Sequence, residues 1–381
     1  MENLNNQIIK ILAVLMCSFS CFSFAQPNAN TEKQVRLVFN QLISVYGSAK
    51  PAPELKVDKY TLPASYIANP KPTIKVDLSL YKLCQTFGKD SLNAIAVVLS
   101  HELTHYYNDH TFCSDYAFAN FKSNADLQKK IGLASYNARV DKESEADIKG
   151  FFYAAAAGFQ PHGLQELLIG KVYTNYKLAN IQKGYPSKQE RIVIAQNAEK
   201  TATQLYEHFK NGLTALENKQ YDQAIEFFNK ANSQVPFREN WNNIGVAYAR
   251  KALNLKLPSK AEDDNPTRFL YPLEVENKSR LINERTRSLD DTTEEMEKLL
   301  NEAQNAFEKA LQLDPSFYKS RINLACIYDI QGSHNSAIAE ISEKLPAETR
   351  ASNEAKRILA IAYYNADMED KAEKIWRELK M

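Results

Sequence analysis

The sequence lacks a surplus of charge of either sign: 47 Lys plus Arg stand against 46 Asp plus Glu in 381 residues. A nucleic-acid surface needs a basic face or stripe, and no basic block stands out, so a nucleic-acid partner is not expected. Long apolar runs are missing beyond the first 25 residues. Nothing later in the chain can therefore cross a membrane as a helix, which is compatible with peripheral membrane association only. Cysteines are few, five in all, so no dense disulfide framework holds the fold. What is present is ordinary globular material, 44% hydrophobic and 24% charged, which argues against wholesale disorder. The length exceeds one typical core and predicts about two domains.

Lys10 precedes an apolar run from Ile11 to Phe24, and Ser23-Phe24-Ala25 places small residues where a signal peptidase reads them. Residues 1–25 thus read as a cleaved secretory signal, and the mature chain is expected to be exported, periplasmic or secreted, starting at Gln26. Cys17 and Cys21 raise lipid anchoring, but the residues before them fit an attachment box poorly. An exported chain meets an oxidising compartment, which makes a Cys84–Cys113 disulfide a candidate, while Cys326, in an apolar helical stretch, reads as core packing.

The chemistry centres on Val98 to Tyr107, which contains H-E-x-x-H as His101, Glu102 and His105. Positions four apart on a helix share a face, so both imidazoles project to one side, as zinc requires. Catalytic zinc usually takes three protein ligands and a water, and Glu102 is spaced to reach that water as general base. The flanking Val98, Leu99, Leu103, Tyr106 and Tyr107 are uncharged and would carry three polar side chains into the interior. Burial of that kind costs several kcal/mol unless coordination compensates it.

Residues 31–47 carry a helical apolar stripe. After a run of prolines, Leu62–Ala68 and Thr73–Leu80 are strand candidates, with Ile74, Val76 and Leu78 alternating against polar neighbours. The motif helix is expected to start near Asp90 or Ser91 and to end about Asn108. His110, past that end, reads as a solvated surface histidine. A third ligand should come from a second helix. In Asp141–Gly150 the acids Glu143 and Asp147 are four apart and share a face, so Glu143 can ligate while Asp147 accepts a hydrogen bond from a ligand histidine. The competing reading is an acidic helix start that complements the helix dipole.

Together, His101-Glu-Leu-Thr-His105, Glu143-Ser-Glu-Ala-Asp-Ile-Lys-Gly150 and Ala156-Ala-Gly-Phe-Gln-Pro161 resemble the gluzincin zinc metallopeptidases of the HtpX and BepA kind, over residues 35–195. The resemblance implies Glu143 as third zinc ligand and Asp147 as its conserved aspartate counterpart. Two departures stand out. Asn69-Pro-Lys-Pro-Thr73 replaces the family's glycine-rich segment, and Tyr185-Pro186 to Arg191 stands where the family has His-Pro-x-x-x-x-Arg. The family histidine is implicated in capping zinc. Tyr185 here either stabilises an oxyanion or simply packs, and Arg191 either joins the site or locks the motif.

From residue 201 the texture becomes helical and repetitive. Gly212, Ala224, Phe228, Ala231 and Pro236 match the tetratricopeptide pattern; Trp241, Gly245 and Tyr248 begin a second unit that Ala303, Phe307, Ala310 and Pro315 complete. Leu324, Tyr328 and Ala337 mark a third unit, and Leu359, Tyr363 and Ala372 a fourth. The insertion, at about 257–300, holds an apolar knot from Phe269 to Val275 that is too apolar for a linker.

The expected fold is an α+β zincin-like metallopeptidase domain over 26–200, mostly helical with a small sheet, followed by an all-α tetratricopeptide solenoid over 201–381. The expected function is an exported zinc-dependent endopeptidase, one zinc ion per chain, acting on protein or peptide substrates and binding a protein partner on the repeat array. The resemblance adds envelope protein quality control. The alternative is a latent or inactive protease that serves as a chaperone-like scaffold.

Overall fold

The computed structural model describes residues 27–110, 136–180, 187–255, 266–276 and 293–381. The expected signal, Cys113 with its pairing to Cys84, Tyr185, and residues 257–265 and 277–292 of the insertion lie outside the described residues. The described chain is mostly helical with one small three-stranded sheet.

Helix α1 (Pro27–Tyr46) leads into β1 (Glu54–Asp58), β2 (Ala64–Ile67) and β3 (Thr73–Asp77), ordered β1-β3-β2. β1 pairs parallel to β3, with Val57 opposite Val76, and β2 pairs antiparallel to it, with Tyr66 opposite Ile74. Ile74 and Val76 are fully buried. The strand expected to run to Leu80 stops at Asp77, because the Asp77 carboxylate accepts a hydrogen bond from the Ser79 N–H and caps α2 (Leu78–Gln85). Leu78 and Leu80 are buried as helix residues instead.

Helix α3 (Ser91–Tyr107) is the centre of the first half. Every residue from Ala94 to Tyr106 is buried, packed by α1, α2, β2 and α4 (Tyr136–Ala156). A helix hydrophobic on all sides belongs inside a core. Burying Ile95, Val97, Val98, Leu99 and Leu103 contributes on the order of 10 kcal/mol before chain entropy offsets it, which is enough to carry polar neighbours inward. Contact with α4 is close because Gly150 has no side chain: a Cβ there would stand 2.9 Å from the His101 nitrogen. The Ser100 hydroxyl donates to the Gly150 carbonyl at 2.7 Å across the same crossing.

After α5 (Gln165–Asn175), Ser187 and Glu190 form a reciprocal capping box that starts α6 (Lys188–Glu217). Residue 200, the expected boundary, falls inside this 30-residue helix. The N-terminal part of α6 packs on α4 and its C-terminal part on α7 (Tyr221–Ala231). Then follow α8 (Arg238–Asn254), α9 (Thr293–Leu313), α10 (Tyr318–Ile330), α11 (His334–Ser342), α12 (Ala347–Arg350), α13 (Asn353–Asn365) and α14 (Glu369–Glu378). The pairs α6–α7, α8–α9, α10–α11 and α13–α14 pack as successive hairpins. Two close packings recur at the positions that the repeat pattern equates. A Cβ on Gly212 would meet the Phe228 ring at 2.5 Å, and a Cβ on Gly245 would meet the Phe307 ring at 2.5 Å.

The halves meet through Phe151, Phe152, Leu205 and Phe237, all buried. Arg238 joins the same seam by donating to the Ser44 carbonyl at 2.9 Å and pairing with Asp314. Cys326 is buried among apolar neighbours of the third hairpin, and burial pushes the Cys84 thiol up to about 12. No helix among the described residues is long and apolar enough to cross a membrane.

Candidate metal centre

Where α3 crosses α4, His101 Nε2 and His105 Nε2 lie 3.0 Å apart. Glu143 Oε2 stands 3.2 Å from the first and 3.6 Å from the second. Donors about 2.0–2.1 Å from a tetrahedral ion are spaced about 3.3 Å from one another, and the three distances bracket that value. Glu143 Oε2 is buried, yet neither imidazole reaches it with hydrogen-bond geometry. The three atoms thus converge on one point between α3 and α4. The buried group His101, His105 and Glu143 can thus hold a metal ion.

Two chains of polar contacts hold the ligands from behind. His101 Nδ1 lies 2.8 Å from Asp147 Oδ1, one helical turn beyond Glu143 on the same face of α4. Asp147 in turn is gripped by both terminal nitrogens of Arg191 from α6, one of them at 2.7 Å. The contact fixes the His101 proton on Nδ1 and leaves Nε2 for a metal. Arg191 is fully buried, and its guanidinium grips the carboxylate behind His101, so it positions Asp147.

The second chain corrects the expectation for His110. That residue is buried, 5% exposed, not solvated. Its Nδ1 lies 2.8 Å from His105 Nδ1, and its Nε2 lies 3.3 Å from Glu145 Oε2. Glu145 also binds Lys149 Nζ at 2.6 Å and accepts from the Asn108 amide at 3.0 Å. The cause is the way α3 ends. Asp109 adopts φ 55, the His110 N–H bonds to the His105 carbonyl at 2.9 Å and the Asp109 N–H to the Tyr106 carbonyl at 3.3 Å. This Schellman pair folds the chain back over the last turn. An Asn-Asp pair after the last apolar residue was the available signal for such a reversal.

Charge follows the contacts. Burial alone would lower His101, but its contact with Asp147 and the nearby Asp147 and Glu143 charges raise it to about 10. Burial lowers His105, and burial with the His105 charge brings His110 down to about 4. His110 is therefore a neutral acceptor for the His105 proton. Burial pulls Glu143 upward, but His105 and His101 hold it well below the carboxylate range. Asp147, likewise opposed by burial, is held down chiefly by Arg191.

Glu102 is fully buried beside these ligands on α3. The helix runs from Ser91 with Asp90 at its cap position, as its sequence predicts, though Asp90 makes no side-chain cap bond. The structure brings together His101, Glu102, His105, Glu143, Asp147 and Arg191. No protein-family model matches this chain, and no curated protein matches it.

Proposed function

We propose that this chain is an exported zinc endopeptidase of the gluzincin type, with a tetratricopeptide array as its C-terminal half. The observation that carries the reading is the buried His101–His105–Glu143 triangle, in which each histidine keeps Nε2 inward because a partner occupies Nδ1. Two histidines and a carboxylate suit zinc among the common metals.

Zinc, when bound, supplies Lewis-acid polarisation of a peptide carbonyl and lowers the pKa of water at the site. Glu102 takes a proton from the attacking water on a carboxylate oxygen and delivers it to the leaving amine nitrogen. Asp147 and Arg191 keep the His101 ring in one tautomer, and His110 and Glu145 do the same for His105. The sheet helps to orient substrate. β2 is an edge strand, and its Tyr66 ring sits 5.8 Å from the Tyr106 ring of α3, so a peptide added to that edge would run beside the motif helix. The recurring Gly212–Phe228 and Gly245–Phe307 packings support the repeat reading.

The test is metal analysis of the purified protein together with cleavage of casein or an unfolded protein. One zinc per chain, with cleavage lost on chelation and restored by zinc, is expected. A chain that holds no zinc under any condition would sink the proposal. Stoichiometric zinc with no cleavage would favour the scaffold reading, in which the array binds proteins and the first half is latent.

A further inference from the structure

After a tight turn in which the Leu273 N–H bonds to the Tyr271 carbonyl at 3.0 Å, residues 273–276 of the insertion lie along the first helices of the second and third hairpins, α8 and α10. Asparagine side chains satisfy the backbone there. Asn243 Oδ1 accepts from the Glu276 N–H at 2.8 Å while its Nδ2 donates to the Glu276 carbonyl at 2.8 Å. Asn323 repeats the pattern two residues earlier, accepting from the Glu274 N–H at 2.6 Å and donating to its carbonyl at 2.8 Å. Asn242 adds a second donor to the Glu274 carbonyl at 2.9 Å and is itself held by the Ser320 hydroxyl.

Residues two apart in an extended chain turn their peptide groups the same way. Two carboxamides at that spacing read backbone as a neighbouring strand would, with little regard for side chains. The intervening Leu273 and Val275 pack against the helical core, and Lys319 lies 3.4 Å from the Glu276 carboxylate.

Asn242, Asn243 and Asn323 are fully buried. Asparagine is a poor helix former, and a buried carboxamide without partners costs about 1–3 kcal/mol. On α8 and α10 the three find those partners in one another, in Ser320 and in the peptide groups of Glu274 and Glu276.

We propose that this asparagine channel is a binding site for an extended peptide segment of another protein, alternating apolar and acidic residues, and that residues 271–276 are a tethered occupant which such a segment replaces. The proposal rests on reading the second half as a protein-binding array and is independent of the peptidase reading.

The test uses the full chain with residues 271–276 replaced by alternating glycine and serine, and a fluorescent synthetic peptide of residues 268–276 as probe. Fluorescence polarisation should show micromolar binding to the replaced chain and at least tenfold weaker binding to the parent, whose site is filled. Adding N243A and N323A to the replaced chain should weaken binding at least tenfold, as should N-methylation of the probe at the positions of Glu274 and Glu276. A replaced chain with the parent's circular dichroism and cooperative unfolding that binds no probe overturns the proposal. So does binding that ignores both the asparagines and the methyl groups. If the replaced chain does not fold, the double variant L273A/V275A loosens the occupant while keeping every asparagine. It should bind the probe more tightly than the parent does, and unchanged binding would refute exchange. Zinc content, measured on each variant, separates the two readings, since lost probe binding with zinc and cleavage intact counts against this site alone.

Discussion

At the candidate metal centre the polar groups that face one another are ionisable: His101, His105 and Glu143, and behind them Asp147 with Arg191 and His110 with Glu145. At the channel on α8 and α10 the buried groups are neutral carboxamides against peptide bonds. The two sites hold their buried polar groups by different physics. Charged groups in a low dielectric interact strongly and tolerate no missing partner, so the first site should respond to protons, chelators and single deletions. Neutral amide pairs contribute about 0.5–1.5 kcal/mol per hydrogen bond and barely sense pH or salt. Discrimination by charge suits an ion, and discrimination by backbone shape suits a peptide.

The largest test of that contrast is Glu102→Gln. Loss of a general base lowers turnover about 10²–10⁴-fold, and because Glu102 is not among the three donors, bound zinc should remain stoichiometric. Zinc lost together with activity would show Glu102 to be part of the ligand set. Next is Arg191→Met, which takes the guanidinium from the buried Asp147 carboxylate and leaves it His101 alone. Breaking one side of a buried pair costs about 3–5 kcal/mol, visible as a lowered urea midpoint. An unchanged midpoint would remove the charged-site argument at its strongest pair.

His110→Ala tests the second chain of contacts. Removing an outer partner of a metal-binding histidine lowers metal affinity about 10–100-fold, so competition with a chromophoric chelator should show that loss with folding intact. Equal affinity would mean that His105 needs no partner. Protons give the next effect. In the metal-free protein His101 is raised to about 10 by Asp147 and Glu143 against the pull of burial, so a metal must displace its proton. Metal uptake near neutrality should release one proton per ion, and affinity should rise about tenfold per pH unit. The same shifts act on stability without metal. The raised His101 contributes fully below about pH 6.5 and loses that contribution as pH rises through about 10. The lowered Glu143 and Asp147 contribute above about pH 4.5 and lose it as pH falls. Lowered His105 and His110 cost stability as pH falls below about 6.5, so the metal-free site should stabilise most near pH 6.5, a maximum that urea midpoints across pH would reveal.

The physics also explains what the chain disclosed about itself. The H-E-x-x-H run and the four-residue spacing of Glu143 and Asp147 are local helix geometry, so the sequence suffices for them, and the structure brings these residues together as that spacing implies. His110 is buried against the expectation from sequence because its place depends on one left-handed residue, Asp109, whose conformation local pattern does not dictate. β1 escaped notice because Glu54-Leu-Lys-Val-Asp58 carries three charges in five residues and earns its strand only from a parallel partner nineteen positions on. The knot from Phe269 to Val275 was visibly apolar. Its docking site was not visible, since Asn242, Asn243 and Asn323 look like surface residues until their peptide partners are placed against them.

A further effect belongs to the segment that fills the channel. Tyr271 donates its hydroxyl to Asp329 Oδ2 at 2.8 Å, and burial with the Asp329 charge raises its pKa well above the usual value, so it stays a donor. Tyr271→Phe removes that bond and leaves the ring in place. Asp329 keeps the Asn365 amide on Oδ2 at 2.8 Å and His334 on Oδ1 at 2.6 Å, so its carboxylate keeps two partners where Asp147 would keep one. The expected loss is about 1.5–3 kcal/mol in the urea-unfolding free energy, the range for a hydrogen bond to an ionised group, and it should be the same at pH 7 and pH 9, because the tyrosine does not titrate between them. A loss of the size expected for Arg191→Met would mean that Tyr271 anchors the segment through charge, and the channel would then be a permanent brace rather than a site that exchanges its occupant.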